Sequence, residues 1–434
     1  MKKVFSLLLC VALTLCLFAC GNKLPSLQDG QVLAGFGRID LTPSGTGFSL
    51  VGYGGNGTPP TPMQGTLDRI YGTCIALTDA EGNTALIYTV DTLYTTEAEV
   101  IMVRKVITEK TGVPGEKVVI SGTHTHSSLG YGSILNYAEL MAQAAVDALA
   151  DRAPASILTG STDIENMNFV RHYTTQNGIV VGDNFSKAVT ADNPRTGHIT
   201  QADPQMQLIR FVRDAEDKKD IIMCNWQAHP KVASTSETEF GQAHRPMLSA
   251  DFIGWCRTYV EENTDCLFAY YTGASGNLNP ISKMPELRPL VSQNVGEYGS
   301  ELGSRLVAAL DTLEPAQGGK VVSYQQRFEV KAIASGVPAM ELTAIRVGDI
   351  GFAAVPFEMF DTNGKQIKDE SNCTTTFVMT CASMGKHEYV PAEYVWDYYT
   401  GEEFAYELLS CKHERGTAET VASELASMLN GLAG

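Results

Sequence analysis

The chain has 434 residues, 44% of them apolar, which is enough for a large buried core and excludes a disordered or low-complexity protein. Forty-nine acidic against 32 basic residues give a net charge of −17, which argues against a surface built for nucleic acid or anionic headgroups. The ten cysteines include no C-x-x-C pair, so nothing points to a cysteine zinc site.

At the N-terminus, Lys2 and Lys3 precede a near-continuous apolar run, Val4–Phe18, closed by L-F-A-C-G at 17–21. This resembles a bacterial lipoprotein signal. Residues 1–19 are expected to be removed, Cys20 to be lipidated, and residues 20–32 to form a polar tether. The apolar run is short of the ~20 residues a spanning helix needs. The expectation is a body anchored to the cell membrane by its N-terminal lipid and lying outside the cytosol. Seven cysteines would remain, an odd number, several in apolar contexts that suit buried thiols.

Ordered structure is expected from about Leu33. Gly52–Gly57 is glycine-rich but lacks a phosphate-loop pattern, and no helix is expected there. Ile75–Leu77 and Ala85–Val90 read as strands joined by a turn at 80–83, the second ending at Asp91. Over Thr96–Lys110, Val100, Val103, Val106 and Ile107 fall on one helical face, and Gly112 and Pro114 stop the helix. A buried strand, Val118–Ile120, follows, completing the strand–helix–strand unit of an α/β sheet. Tyr137–Leu149 is a second amphipathic helix, and residues 160–205 are polar without helical pattern. Strands return at Gln207–Val212 and Ile221–Trp226, around the charged hairpin Asp214–Asp220. Ser234–Phe240 reads as a polar loop, and Ser249 or Asp251 can cap a helix to about Glu262. Cys266–Tyr271 is strand-like, and a helix is predicted over about 292–313. Strands dominate to Ala354, and a helix is predicted after Pro356–Phe360. Thr374–Thr380 is a strand, 383–407 is aromatic and loop-like, and Thr417–Leu429 is the last helix. With no internal repeat or Pro-rich linker, the reading is α/β: composite mixed β-sheets flanked by helices, in a single large domain over 33–434.

Ligand-type side chains gather at the strand ends. V-V-I-S-G-T-H-T-H-S (118–127) presents His124 and His126 just past a buried strand, where open α/β sheets place their sites. Alternating residues on an extended segment share a face, so the two rings can converge. On this stretch alone, a polar loop with two unrelated histidines stays open. Q-A-H-P (227–230) puts His229 at another strand end. Glu358, in A-A-V-P-F-E-M-F, is costly to bury unless paired or bound to a metal. Two or three histidines with a carboxylate suit Zn²⁺, although a salt bridge satisfies Glu358 equally well.

Seven segments occur in one order: A-G-F-G-R-I-D-L-T-P (34–43), I-S-G-T-H-T-H-S (120–127), Q-A-H-P (227–230), S-A-D-F-I-G (249–254), G-A-S-G-N-L-N-P (273–280), P-F-E-M-F (356–360) and E-Y-V-P (388–391). Together they make the chain resemble the neutral/alkaline ceramidase family of zinc-dependent amidases, from about Ala34 to Glu407. The resemblance covers the catalytic domain only, without the C-terminal β-sandwich of larger members. It implies a metal site at strand ends, with Zn²⁺ held by His124, His229, Glu358 and Tyr389. His126 would orient or deprotonate the attacking water. Arg171, in N-F-V-R-H-Y, would hold substrate or oxyanion charge. The second family tyrosine is assigned to Tyr406, in F-A-Y-E, over Tyr394, Tyr398 and Tyr399. Asn279 stands where the family has a serine. An amide is no nucleophile but can donate a hydrogen bond to an oxyanion, so Asn279 is expected to contact substrate. The implied function is hydrolysis of an N-acyl amide by metal-activated water, from a ceramide-like substrate to sphingoid base plus fatty acid. The alternatives are a zinc hydrolase for another ester, amide or glycan-linked acyl group, and a ligand-binding lipoprotein that no longer catalyses. The expected partners are a small or lipid N-acyl substrate and the membrane, not nucleic acid; the oligomeric state is left open.

Overall fold

Strands whose apolar residues run on without alternation must be covered on both faces. The computed structural model covers them in that way. It describes residues 25–52, 61–130, 132–183, 188–233, 246–280, 282, 284, 294–333, 335–383, 388–398 and 405–433. The N-terminal apolar run, Cys20, Tyr399 and residues 234–240 lie outside the described residues. Eight long strands build the main sheet: β1 (Val32–Asp40), β2 (Tyr71–Thr78), β3 (Thr84–Val90), β4 (Val118–Gly122), β5 (Ala153–Asp163), β6 (Gln205–Arg213), β7 (Asp220–Trp226) and β8 (Cys266–Thr272). Their order is β8-β7-β6-β5-β1-β2-β3-β4, with Glu314–Ala316 added alongside β5. The outer pairs β7–β8 and β3–β4 are parallel and the inner pairs antiparallel.

The period of two divides each strand between two cores. Cys74, Ala76, Leu86, Tyr88, Val118 and Ile120 face the helices α1 (Glu97–Thr111) and α2 (Ala138–Ala150). Leu208, Ile222, Cys224 and Phe268 face α3 (Phe252–Asn263) and α4 (Val295–Ala309). The opposite face, with Ile75, Leu77, Ile87, Val119 and Met223, packs on a second sheet through Ile345, Phe352 and Phe377. That sheet runs β9 (Val321–Phe328), β10 (Met340–Val347), β11 (Ile350–Ala354) and β12 (Thr375–Met379), in that order. Its outer face is closed by α5 (Asp361–Glu370) and α6 (Thr417–Gly431). The architecture is therefore helix, sheet, sheet, helix. Among the described residues no helix is long and apolar enough to cross a membrane.

Local chemistry sets the boundaries. Thr96 and Glu99 form a capping box at the start of α1, and Gly112 ends it in the left-handed conformation at φ 75°. Such a cap contributes ~0.5–2 kcal/mol. Asp251, not Ser249, caps α3. α2 lies close on β1 because Gly35 and Gly37 have no Cβ; one built there would meet the backbone oxygens of Ala148 and Ala144 at 2.0 and 2.1 Å. Strand β5 is a finding against the sequence reading, which gave no strand at 153–159 and only a polar stretch from 160. Its segment A-P-A-S-I-L-T-G-S-T-D buries only alternate residues, Ala153, Ala155, Ile157 and Thr159, and its pairing with β6 supplies the rest. Residues 169–198 add short strands, Phe169–Val170, His172–Thr175, Val180–Gly182 and Arg195–His198. The segment 383–407 contains the two-residue strand Tyr389–Val390 and the helix Val395–Tyr398. The seven cysteines among the described residues, Cys74 to Cys411, are all free thiols, six of them buried.

The sheet curls until its two edges meet. Thr89 donates to the carbonyl of Tyr270 (2.6 Å), Tyr271 to that of Ile87 (3.1 Å), and Thr272 to that of Thr123 (2.6 Å). The C-terminal ends of β4, β7 and β8 are thereby brought together, and the histidines emerge there.

Candidate metal centre

Beyond Gly122 the chain is no longer extended. His124 has φ 68°, in the left-handed region, so the histidines meet through a turn and not through the strand alternation the sequence suggested. Such a conformation in a non-glycine residue costs on the order of 1–3 kcal/mol and persists only when its surroundings enforce it. Here the His124 N–H donates to the Thr92 carbonyl at 2.9 Å, and Nδ1 to that of Leu93 at 3.0 Å. The rings of His124 and His126 lie 5.0 Å apart, and those of His124 and His229 4.9 Å.

His229 follows β7 on a turn held by Gln227, whose amide donates to the carbonyls of Asp203 and Gln205. Glu358 and Tyr389, 31 positions apart in sequence, are register partners in a two-residue parallel bridge. Gly276 lies against that bridge: its N–H donates to the Met359 carbonyl at 2.8 Å, and a Cβ would meet the Glu358 oxygen at 2.5 Å. Gly276→Ala is expected to cost about 1–3 kcal/mol by overpacking and to push Glu358 out of place. Denaturant unfolding and a metal titration would show it; wild-type values in both would contradict the packing.

The three rings share one arrangement. Each Nδ1 donates to a backbone carbonyl: His124 to Leu93, His126 to Gly52 (3.2 Å), and His229 to Ser275 and Leu278 (2.8 and 2.9 Å). A carbonyl only accepts, so each Nδ1 carries a proton, and in a neutral ring Nε2 then carries a lone pair. The three rings bring ligand nitrogens within 4.8 Å of one another. Oε2 of Glu358 stands 2.9 Å from Nε2 of His229 and 3.2 Å from that of His124, and the Tyr389 hydroxyl is 3.3 Å from His229 Nε2. Nε2 of His126 is buried without a hydrogen-bond partner. Burial, reinforced by Arg171 and the other two rings, holds His229 well below the usual imidazole range. Burial and His124 do the same to His126. The nitrogens of three imidazoles and a carboxylate thus gather at one buried point, which is the donor set of a cation site. The residues fit a divalent metal.

Around this cluster the other predicted residues take definite places. Arg171 is buried; its Nε donates to Glu407 at 2.7 Å and its Nη2 to the Gly276 carbonyl at 2.7 Å. Its guanidinium lies 5.3 Å from the centre of the Tyr389 ring and 5.9 Å from that of Tyr406. Those two rings are edge-on at 5.6 Å. Burial pushes the Tyr389 phenol well above its usual range against the pull of Arg171. Burial and Glu358 push Tyr406 up to about 12. Tyr394 instead meets Asn277, and Tyr398 is half exposed. Asn279 is fully buried, and its amide nitrogen is engaged by Asp183. Its oxygen is the atom without a partner; of the two N–H donors of its amide, Asp183 engages one.

Several neighbours were not foreseen. Tyr94 donates to Glu358 Oε1, Cys381 Sγ lies 3.5 Å from His124 Nδ1, and Glu407 pairs with both Arg171 and His172. The one signal for Tyr94 was its place: β3 and β4 are parallel neighbours, so the residues after Asp91 arrive at the same sheet end as His124.

Among solved structures, the neutral ceramidase from Pseudomonas aeruginosa superposes with a TM-score of 0.70 at 17% identity, over 94% of this chain and 75% of that one. A ceramidase complexed with C2 does so with the same score and identity, over 93% and 75%. No protein-family model and no curated protein matches the sequence. The chain has the neutral-ceramidase fold.

Proposed function

We propose that this protein is a zinc-dependent hydrolase of N-acyl amide bonds in the neutral ceramidase family, tethered to the membrane through lipidated Cys20. The observation that carries the reading is the convergence of the His124 and His229 imidazole nitrogens on Glu358 Oε2, with His126 beside them. The fold shared with ceramidases makes a ceramide-like N-acyl compound the leading substrate. His124, His229, Glu358 and Tyr389 would hold the zinc, which when bound polarises a carbonyl and lowers the pKa of water to about 7.

The remaining residues divide the other tasks. His126, neutral at physiological pH, offers its Nε2 lone pair to a water proton. Tyr406, with its phenol pushed up to about 12, keeps its proton and donates to negative charge developing on the carbonyl oxygen. Arg171, fixed by Glu407 and Gly276, holds the two tyrosine rings in place.

The test uses the full chain in detergent. About one zinc per chain and metal-dependent release of fatty acid from N-acyl sphingoid bases are expected, with loss on chelation and recovery with zinc. A metal-replete protein that turns over no N-acyl or ester substrate would support instead a ligand-binding protein, the reading Asn279 favours. Release from esters or acylated glycans above amides would favour another hydrolase of this fold. Radiolabelled palmitate should enter the wild type and not Cys20→Ala; equal labelling removes the anchor from the proposal.

A further inference from the structure

We propose that Tyr94 is a positioning residue of this centre, setting which oxygen of Glu358 faces the histidines; the proposal rests on reading the cluster as a metal site. Tyr94 stands on the loop that follows β3, and that loop already shapes His124. The carbonyls of Thr92 and Leu93 accept its N–H and Nδ1–H at 2.9 and 3.0 Å. The next residue, Tyr94, is buried, and its ring stands edge-on to His124 at 5.0 Å with an interplanar angle of 79°. Its hydroxyl reaches across to Glu358 Oε1. Three consecutive residues therefore hold the two groups, His124 and Glu358, in one fixed relation.

The carboxylate is divided as a result. Oε1 accepts the phenol proton, and Oε2 is the oxygen turned to His124 at 3.2 Å and His229 at 2.9 Å. A carboxylate with one oxygen engaged by a phenol is fixed in rotation about its Cγ–Cδ bond, and such outer hydrogen bonds tune the metal affinity of the group they orient. Tyr389 differs in kind: its hydroxyl faces His229 Nε2 directly. The centre thus has two buried phenols, one placed as a ligand and one placed to steer a ligand.

The experiment uses the full chain with Tyr94→Phe, which keeps the ring against His124 and removes only the hydroxyl. Zinc affinity is measured by competition with a chelating dye, and coordination by the visible spectrum of the cobalt-substituted protein. A fall in zinc affinity of about 10–100-fold is expected. The cobalt spectrum should change, while the metal-free protein stays folded and melts somewhat below wild type, because Glu358 Oε1 loses a donor. Wild-type affinity and cobalt spectrum in Tyr94→Phe, with both lost in Glu358→Gln, overturn the proposal and leave the metal site standing. Wild-type zinc affinity in Glu358→Gln and His124→Ala as well overturns both. Should Tyr94→Phe not fold, 3-fluorotyrosine at position 94 keeps the shape and strengthens the donor. A shifted cobalt spectrum then supports the role, and an unshifted one rejects it.

Discussion

The double variant His124→Ala/His229→Ala is expected to bind no zinc and to lose N-acyl hydrolysis by on the order of 10³-fold or more. Several kcal/mol of charge stabilisation is the usual contribution of a catalytic metal, and each 1.36 kcal/mol is tenfold in rate. Stability gives a readout independent of turnover. In the metal-free wild type, Glu358 Oε2 faces Nε2 of His229 at 2.9 Å and that of His124 at 3.2 Å, so metal binding draws on groups that are already assembled. Zinc at a hundred times its Kd should stabilise the wild type by about 2.7 kcal/mol and leave the double variant unmoved. Calorimetry with and without zinc, beside metal analysis, checks this. Stoichiometric zinc, or an undiminished zinc-induced shift in melting temperature, in the double variant would falsify the ligand assignment.

Much of the fold is legible where local and global signals agree. The α1 periodicity and its Gly112 stop point to one helix, and the structure has it within a residue at each end. The unbroken apolar runs in β3, β4 and β7 announce strands buried on both faces. Strand β5 is hidden because Pro154, Gly160 and its serines and threonines carry weak strand preference, and only its neighbours select the conformation. The site divides in the same way. His124, His126 and His229 each follow a recognisable strand, so their convergence is a consequence of sheet curvature. Glu358 and Tyr389 are different: nothing in their local sequence says they are register partners, and only the ordered family segments tied them to the histidines. The contacts of Tyr94 and Glu407 have no local pattern at all. Each is a long-range contact, 264 positions from Tyr94 to Glu358 and 236 from Arg171 to Glu407, made only when distant elements close on one another.

Glu407→Gln should be among the most destabilising single changes in the molecule, by about 3–5 kcal/mol, because it strands the buried Arg171 guanidinium without its counter-charge. Burial opposes charge on Glu407, yet Arg171 and His172 hold its carboxyl far below the usual range. A depressed folded pKa contributes stability that is complete above the unfolded value, about 4.3, and is lost as pH falls from there toward the folded value. The gap between wild type and Glu407→Gln should therefore be constant from pH 7 to pH 5 and shrink progressively below about 4.3. Denaturant titrations across that range measure it; a gap that persists undiminished well below pH 4 would show that the charge is not its source. The pair also separates packing from function. Arg171→Met/Glu407→Leu removes both charges, so it should be more stable than either single change, by the non-additivity expected of contacting groups. The guanidinium over Tyr389 and Tyr406 is absent in that double variant. Restored stability with hydrolysis still impaired would place Arg171 in support of the two tyrosines, whereas hydrolysis restored along with stability would reduce the pair to a structural ion bridge.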